Sequence, residues 1–266
     1  MRNLSPVVKN LIIINVVLLL LTTLLERTGF DLVRYLGLFY PGSQYFMPHQ
    51  LVTHMFMHGG LMHIFFNMYA LWIFGSALEQ VWGGKRFLFY YFVTGVGAAS
   101  LHLLVSWIEI SHVQSAAKAL MNTLTPDAFE EFAVKYLGKS VSPDALDNFV
   151  SRWSLTPDSS AYLAQAEETV SNFIVRMMDI PTVGASGAVF GVLLAFGMLF
   201  PNTQLMLLFP PIPIKAKYFV IGYGVLELLL GLSNTGSNVA HFAHVGGMIF
   251  GFLLIKYWQK KSQHFY

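Results

Sequence analysis

The sequence predicts an all-α polytopic membrane protein: a bundle of six transmembrane helices with a helical extramembrane insertion between the third and the fourth. Three observations lead there. Hydrophobic residues make up 55% of the chain and charged ones 11%, about half the usual charge, with a mean hydropathy of +0.56. Six apolar stretches are long enough to span a bilayer. Two of these carry glycines four residues apart, Gly187 with Gly191 and Gly247 with Gly251, a spacing that lets membrane helices approach closely. The absence of cysteine excludes a disulfide framework, a thiol nucleophile and a cysteine-ligated metal. A net charge of +2 without a basic patch gives no sign of a nucleic-acid partner.

The first stretch runs from Leu11 to Leu25 and stops at Glu26 and Arg27. No Ala-x-Ala site follows its long apolar run, so it is a membrane helix and not a cleaved signal peptide. Next come Leu61 to Leu78 and Phe87 to Ile108. The fourth, Val183 to Phe200, covers roughly 27 Å at about 1.5 Å per residue, which local thinning accommodates. Tyr218 to Leu232 and Val239 to Tyr257 complete the set. The chain accordingly divides into residues 1–110 with helices 1–3, an extracytoplasmic insertion 111–179, and residues 180–266 with helices 4–6 and a cytoplasmic tail. With the N-terminus inside, nine of sixteen basic residues fall in the cytoplasm (Arg2, Lys9, Lys85, Arg86, Lys215, Lys217, Lys256, Lys260 and Lys261). Short outer loops keep only Arg27 and Arg34, so the positive-inside rule makes both termini cytoplasmic.

Within the insertion a helix-start signal occurs three times: Thr125-Pro126-Asp127, Ser142-Pro143-Asp144 and Thr156-Pro157-Asp158. Each puts a capping side chain before a proline suited to the first helical position and an acid favoured in the first turn. Three short amphipathic helices follow. Their apolar faces are Phe129, Phe132, Val134, Tyr136 and Leu137, then Leu146, Phe149, Val150 and Trp153. Nine acids against five bases make the insertion net acidic, a cap on the outer side near the mouth of the site described next.

Ser186 stands in Gly184-Ala185-Ser186-Gly187 at the outer end of the fourth stretch, and His244 in Ala243-His244-Val245-Gly246-Gly247 near the outer part of the sixth. Ionisable groups inside a membrane face the bundle interior and mark function. A serine and an imidazole at similar depth on glycine-lined helices form a nucleophile and its base. The second stretch and the residues leading into it carry His54, His58, His63 and Asn67. His63 and Asn67 share one helix face, and an imidazole and a carboxamide so placed donate jointly to one oxygen anion. Three histidines also raise the question of a metal, but no His-Glu-x-x-His spacing and no nearby carboxylate supports a zinc site. His54 and His58 read as loop organisers that bond backbone carbonyls, His241 as an alternative base three residues before His244, and Asn67 alternatively as a tie between helices. Glu227 reads as an isolated carboxylate, a hydrogen-bond partner or gate element; Glu79 lies at the inner end of the second helix near Lys85 and Arg86.

These residues resemble the rhomboid family of intramembrane serine proteases over roughly residues 5–257, apart from the insertion. The family's Gly-x-Ser motif on the fourth helix matches Ser186, its Ala-His-x-x-Gly-x-x-x-Gly motif on the sixth matches His244, Gly247 and Gly251, and its His-x-x-x-Asn pair on the second matches His63 and Asn67. The resemblance implies a rhomboid-like bundle in which Ser186 attacks, His244 serves as base without a carboxylate, and His63, Asn67 and the Ser186 backbone N–H bind the oxyanion. Gly184, Phe190, Gly247 and Gly251 would support the site. Two departures stand out. Where the family often has Trp-Arg or Trp-Gln in the first outer loop, this chain reads His49-Gln50-Leu51-Val52-Thr53-His54; where some relatives place a tyrosine under the catalytic histidine, it has Phe190.

The expected activity is endoproteolysis of transmembrane segments of single-pass proteins in the lipid bilayer, without a cofactor. Cleavage is expected near the outer face, at bonds flanked by small side chains in segments that unwind readily. Gly231–Asn238 forms a movable lid, and a bacterial inner (plasma) membrane is the expected location. A pseudoprotease that binds clients without cutting would lack the serine or histidine retained here, and a transporter would show inverted repeats that this sequence lacks.

Overall fold

The computed structural model describes residues 4–206, 211–233 and 239–261. The helices in chain order are α1 (Pro6–Glu26), α2 (Leu32–Leu36), α3 (Gln50–Thr53), α4 (Leu61–Ala70), α5 (Ser76–Trp82), α6 (Gly84–Asn122), α7 (Pro126–Phe132), α8 (Pro143–Ser154), α9 (Ser160–Met178), α10 (Ser186–Leu199), α11 (Ala216–Leu232) and α12 (Val239–Lys261). A wider π turn, Leu71–Gly75, joins α4 to α5 as one helical rod. Two short antiparallel strands between α10 and α11, β1 (Gln204–Met206) and β2 (Pro213–Lys215), pair Leu205 with Ile214. Among the described residues, three helices are long and apolar enough to cross a membrane: Pro6–Glu26, Leu61–Trp82 and Gly84–Asn122. Helix α10 is a shorter apolar one. The protein is an integral membrane protein, and the exposed Ile13, Val17, Leu20 and Leu24 of α1 are the face such a helix turns to lipid.

The chain forms two compact units. The first comprises residues 1–39, 45–105 and 181–266. Its core is built from Val8 and Leu11 of α1, Ile64, Met68, Leu71 and Leu78 of the α4–α5 rod, Phe87, Tyr90 and Tyr91 of α6, Ala188, Val192 and Ala195 of α10, and Ile255 of α12. Helices α10 and α12 pack closest. A Cβ on Gly247 would overlap the carbonyl of Gly187, so the two backbones touch where no side chain fits. Gly191 abuts Thr94, and the Tyr90 hydroxyl donates to its carbonyl at 2.8 Å.

Glu79 of α5 caps α1. Its carboxylate accepts from Ser5 Oγ (2.5 Å), Val7 N–H (3.0 Å) and Val8 N–H (2.9 Å), which satisfies orphan donors at the helix start and suits the positive end of the helix dipole. Glu79 lies near the C-terminal end of the rod, and the sequence does not reveal its partner.

The second unit comprises residues 40–44 and 106–180. Trp153 is fully buried in it, among Phe129, Phe132, Leu137, Val150, Ala166 and Val170. Thr125 and Ser142 cap α7 and α8 by accepting from Ala128 N–H and Ala145 N–H. The third start signal fails. Helix α9 begins at Ser160, and Pro157 instead accepts the Trp153 indole N–H at 3.0 Å, because burying that ring demands a partner for its donor. Nor is α9 short, at 19 residues. Val134, expected on the apolar face, is 67% exposed; at about 100° per residue it stands roughly 140° around the helix from Phe129.

Candidate active site

Ser186 is the first residue of α10. Its position follows from the segment before it: Leu38 and Thr182 exchange backbone hydrogen bonds (2.9 and 2.8 Å), and Gly184 donates its N–H to the His54 carbonyl at 2.9 Å. Gly184 has φ +134°, a conformation that side chains rarely adopt, and a Cβ there would press into the ring of His63. The imidazole of His63 thus lies against the turn that delivers the serine. Because α10 starts at Ser186, its first N–H groups lack intrahelical acceptors.

The sequence-predicted pair meets. Ser186 Oγ lies 2.9 Å from His244 Nε2, and the Phe190 ring, one turn along α10, lies flat on the imidazole with centroids 4.2 Å apart and planes at 6°. Phe190 in turn packs on Tyr223 of α11. On the other side of the imidazole, His244 Nδ1 is 2.8 Å from Glu227 Oε2, and His241 Nδ1 reaches the same oxygen at 2.7 Å. A carboxylate has only lone pairs to offer, so both Nδ1 atoms carry hydrogen and donate. His244 Nε2 is then left with a lone pair facing the serine hydroxyl. His241 has its bond to Glu227 and none to Ser186 among the described contacts.

The reading of Glu227 as an isolated carboxylate is therefore corrected, and its alternative reading as a hydrogen-bond partner is what the geometry shows. Glu227, 5% exposed, sits between His241 and His244, with all three ligand atoms within 4.8 Å of one another. Two imidazoles and a carboxylate are ligand types that zinc accepts, but with both Nδ1 atoms donating hydrogen to Glu227 those nitrogens have no lone pair to offer an ion. A signal for this grouping was present in the sequence. Helices α11 and α12 are separated by six residues, so Glu227, a turn and a half before the end of one, falls at the depth of His241 and His244 after the start of the other.

Asn67 is buried and donates through Nδ2 to the His63 carbonyl at 3.0 Å, leaving its second amide hydrogen for another acceptor. Gly59 N–H points to His63 Nδ1 at 3.4 Å, which places the ring proton of neutral His63 on Nε2, the atom close to Gly184. His58 meets His63 edge to face, 5.0 Å between centroids. His54 donates from Nδ1 to the Gln50 carbonyl at 2.8 Å. Burial pushes both His54 and His58 down to about 4.

The loop that departs from the Trp-Arg pattern is organised by Gln50. Its buried carboxamide donates to the Tyr45 carbonyl at 2.9 Å and accepts from Phe39 N–H (3.3 Å) and Met47 N–H (3.1 Å). Gly247 sits at the α10–α12 contact, and Gly251 lies against the Tyr90 hydroxyl. Of the expected lid, residues 234–238 lie outside the described residues.

Comparison with known proteins points to one family. A family model described as Rhomboid domain matches residues 45–126 and 159–260. An uncharacterised mitochondrial rhomboid protein of Schizosaccharomyces pombe is 28% identical over 219 residues, covering 80% of this chain and 52% of that protein, so the chain spans about half its length. The rhomboid protease GluP of Bacillus subtilis is 40% identical over 47 residues, 18% of this chain and 9% of the relative. A mitochondrial rhomboid-like protein of Arabidopsis thaliana is 37% identical over 68 residues, 26% of this chain and 22% of the relative. Two of these names are mitochondrial, so the expectation of a bacterial inner membrane finds no support in them. The family match covers more than half of the sequence and spans both Ser186 and His244: this chain belongs to the rhomboid family.

Proposed function

We propose that the chain is an intramembrane serine endopeptidase that cuts transmembrane segments of single-pass membrane proteins. The observation that carries this reading is the 2.9 Å approach of Ser186 Oγ to His244 Nε2 with the imidazole held flat on Phe190. His244 takes the hydroxyl proton as Ser186 attacks the substrate carbonyl, then returns it to the leaving amine. The Oγ–carbon bond forms while the carbonyl π bond becomes the oxyanion; collapse expels the amine, and water hydrolyses the acyl-enzyme. His63 Nε2–H, the second Asn67 amide hydrogen and the Ser186 N–H serve as oxyanion donors. The name rhomboid protease borne by the Bacillus subtilis relative supports the same chemistry.

The reading includes six spans with both termini cytoplasmic, supported by the distribution of lysine and arginine. Residues 111–179 form an extracytoplasmic insertion in it. Because a helical backbone shields its carbonyls, the preferred substrates are segments with helix-breaking residues and small side chains at the cut. The test is labelling of the purified protein in detergent with a fluorophosphonate, together with cleavage of a panel of transmembrane segments. Wild type is labelled and cuts, whereas Ser186→Ala and His244→Ala do neither while remaining folded. Cleavage by folded Ser186→Ala removes the proposal.

A further inference from the structure

We infer that Glu227 is a positioning residue for His244, so that the reactive group is a Ser–His–carboxylate chain with a second histidine, His241, bracing the carboxylate. This rests on the reading of Ser186 and His244 as nucleophile and base. A carboxylate in an apolar helix is costly and persists where it is paired. Glu227 stands in Val-Leu-Glu-Leu-Leu-Leu, is 5% exposed, and its partners are the Nδ1 atoms of two imidazoles at 2.7 and 2.8 Å.

That geometry does three things for the reaction. It fixes the tautomer: with Nδ1–H of His244 donated to Glu227, the proton is kept off Nε2, the atom 2.9 Å from Ser186 Oγ. It orients the ring, which is clamped between the carboxylate and the Phe190 face. It also places a negative charge beside the imidazolium that forms when Nε2 accepts the serine proton; Glu227 itself stays ionised throughout, and that proton travels on to the leaving amine. His241 donates to the same oxygen as His244, so it holds the carboxylate rotamer from the outer side. Tyr223, one turn earlier on α11, packs on Phe190 and closes the group from below.

The test uses full-length protein in detergent. Glu227→Gln keeps the shape but presents an amide hydrogen able to donate to Nδ1, which favours the wrong tautomer. The expected result is a kcat lower by roughly a hundredfold to ten-thousandfold, with KM within about threefold of wild type. The fluorophosphonate labelling rate of Ser186 should fall in parallel. Glu227→Asp restores part of the rate, and His241→Gln loses less than Glu227→Gln. A purely structural carboxylate would instead give rates that follow the folded fraction, with Asp no better than Leu at this position. Wild type should also show a strongly downfield imidazole proton in its NMR spectrum that disappears in His244→Ala; this readout stands even if Glu227→Gln fails to fold. A folded Glu227→Gln labelled at the wild-type rate, or a wild-type spectrum without that proton, overturns the inference. Wild type that is not labelled at Ser186 at all overturns the protease reading instead, so the two failures are distinguishable.

Discussion

Phe190 and His244 lie face to face, 4.2 Å between ring centroids and 6° between planes, one ring on α10 and the other on α12. The stack limits rotation of the imidazole about its Cβ–Cγ bond, which hydrogen bonds at the two nitrogens do only in part. It also shows that a phenyl ring without a hydroxyl supports the histidine in this chain.

Removing that face loosens the base. Phe190→Ala forfeits the ring contact, worth about 0.5–1.5 kcal/mol beyond its buried area. Fluorophosphonate labelling should fall by roughly three- to tenfold from the stack alone, with a further loss from cavity formation. Phe190→Tyr preserves the stack and should label near the wild-type rate. Equal labelling of wild type and a folded Phe190→Ala protein would show that the stack does not hold the base.

The proposed oxyanion donors should respond one at a time. His63→Ala and Asn67→Ala each lower kcat roughly tenfold to a thousandfold while leaving thermal unfolding near wild type. Steady-state cleavage of a fluorogenic transmembrane substrate checks this. A raised KM at unchanged kcat would assign either residue to substrate recognition.

Glu79 has its effect in stability. Glu79→Ala strips three donors of their acceptor at the start of α1, and leaving buried groups unpaired costs about 1–3 kcal/mol each where water cannot enter. A lower midpoint of thermal unfolding in detergent is expected, with Glu79→Gln intermediate because it keeps one acceptor oxygen. An unchanged midpoint for Glu79→Ala would mean that α1 is capped by other means.

Acid should weaken the loop that leads into α4. Burial holds His54 and His58 down to about 4 in the folded protein, against an ordinary value of 6.5. Between those values the unfolded chain binds more protons than the folded one, so stability rises with pH; it is fully present above about 6.5 and falls progressively toward pH 4. The unfolding midpoint should therefore drop across this window, and His58→Gln should flatten the drop. A midpoint independent of pH from 7 to about 4 contradicts the assignment.

Ser186, His244, Glu227, His63 and Asn67 all belong to the first unit of the fold. Replacing residues 115–172 with a short Gly/Ser linker should accordingly retain labelling of Ser186 while changing which substrates are cut or how stable the enzyme is. A folded variant that cannot be labelled would show that the second unit helps to build the site.

The pairing of Ser186 with His244 was legible in the sequence because each member carries its own local context. Glycines flank Ser186 and follow His244, and His63 and Asn67 are one turn apart. The pairing of Glu227 was only half legible: the six residues between α11 and α12 give its depth, whereas its contact with His241 and His244 depends on the relative rotation of the two helices, which hydropathy does not encode. Gln50 was hidden for a related reason: its partners, at positions 34 to 47, form an irregular loop whose path is fixed only once the carboxamide is buried. The starts of α7 and α8 were readable from Thr125 and Ser142, whereas Thr156 was overruled by the need of the Trp153 indole for an acceptor.

Where Gly187 meets Gly247, no side chain intervenes between the two helices that carry the serine and the histidine. The reach from hydroxyl to imidazole is therefore gauged by two main chains resting on each other, a ruler without adjustable parts. Lipid-facing positions of α10, α11 and α12 can vary widely without changing that gauge, while a single methyl group added at position 247 would reset it. The tolerance of this family member to sequence drift should be steepest at that one crossing and shallow almost everywhere around it.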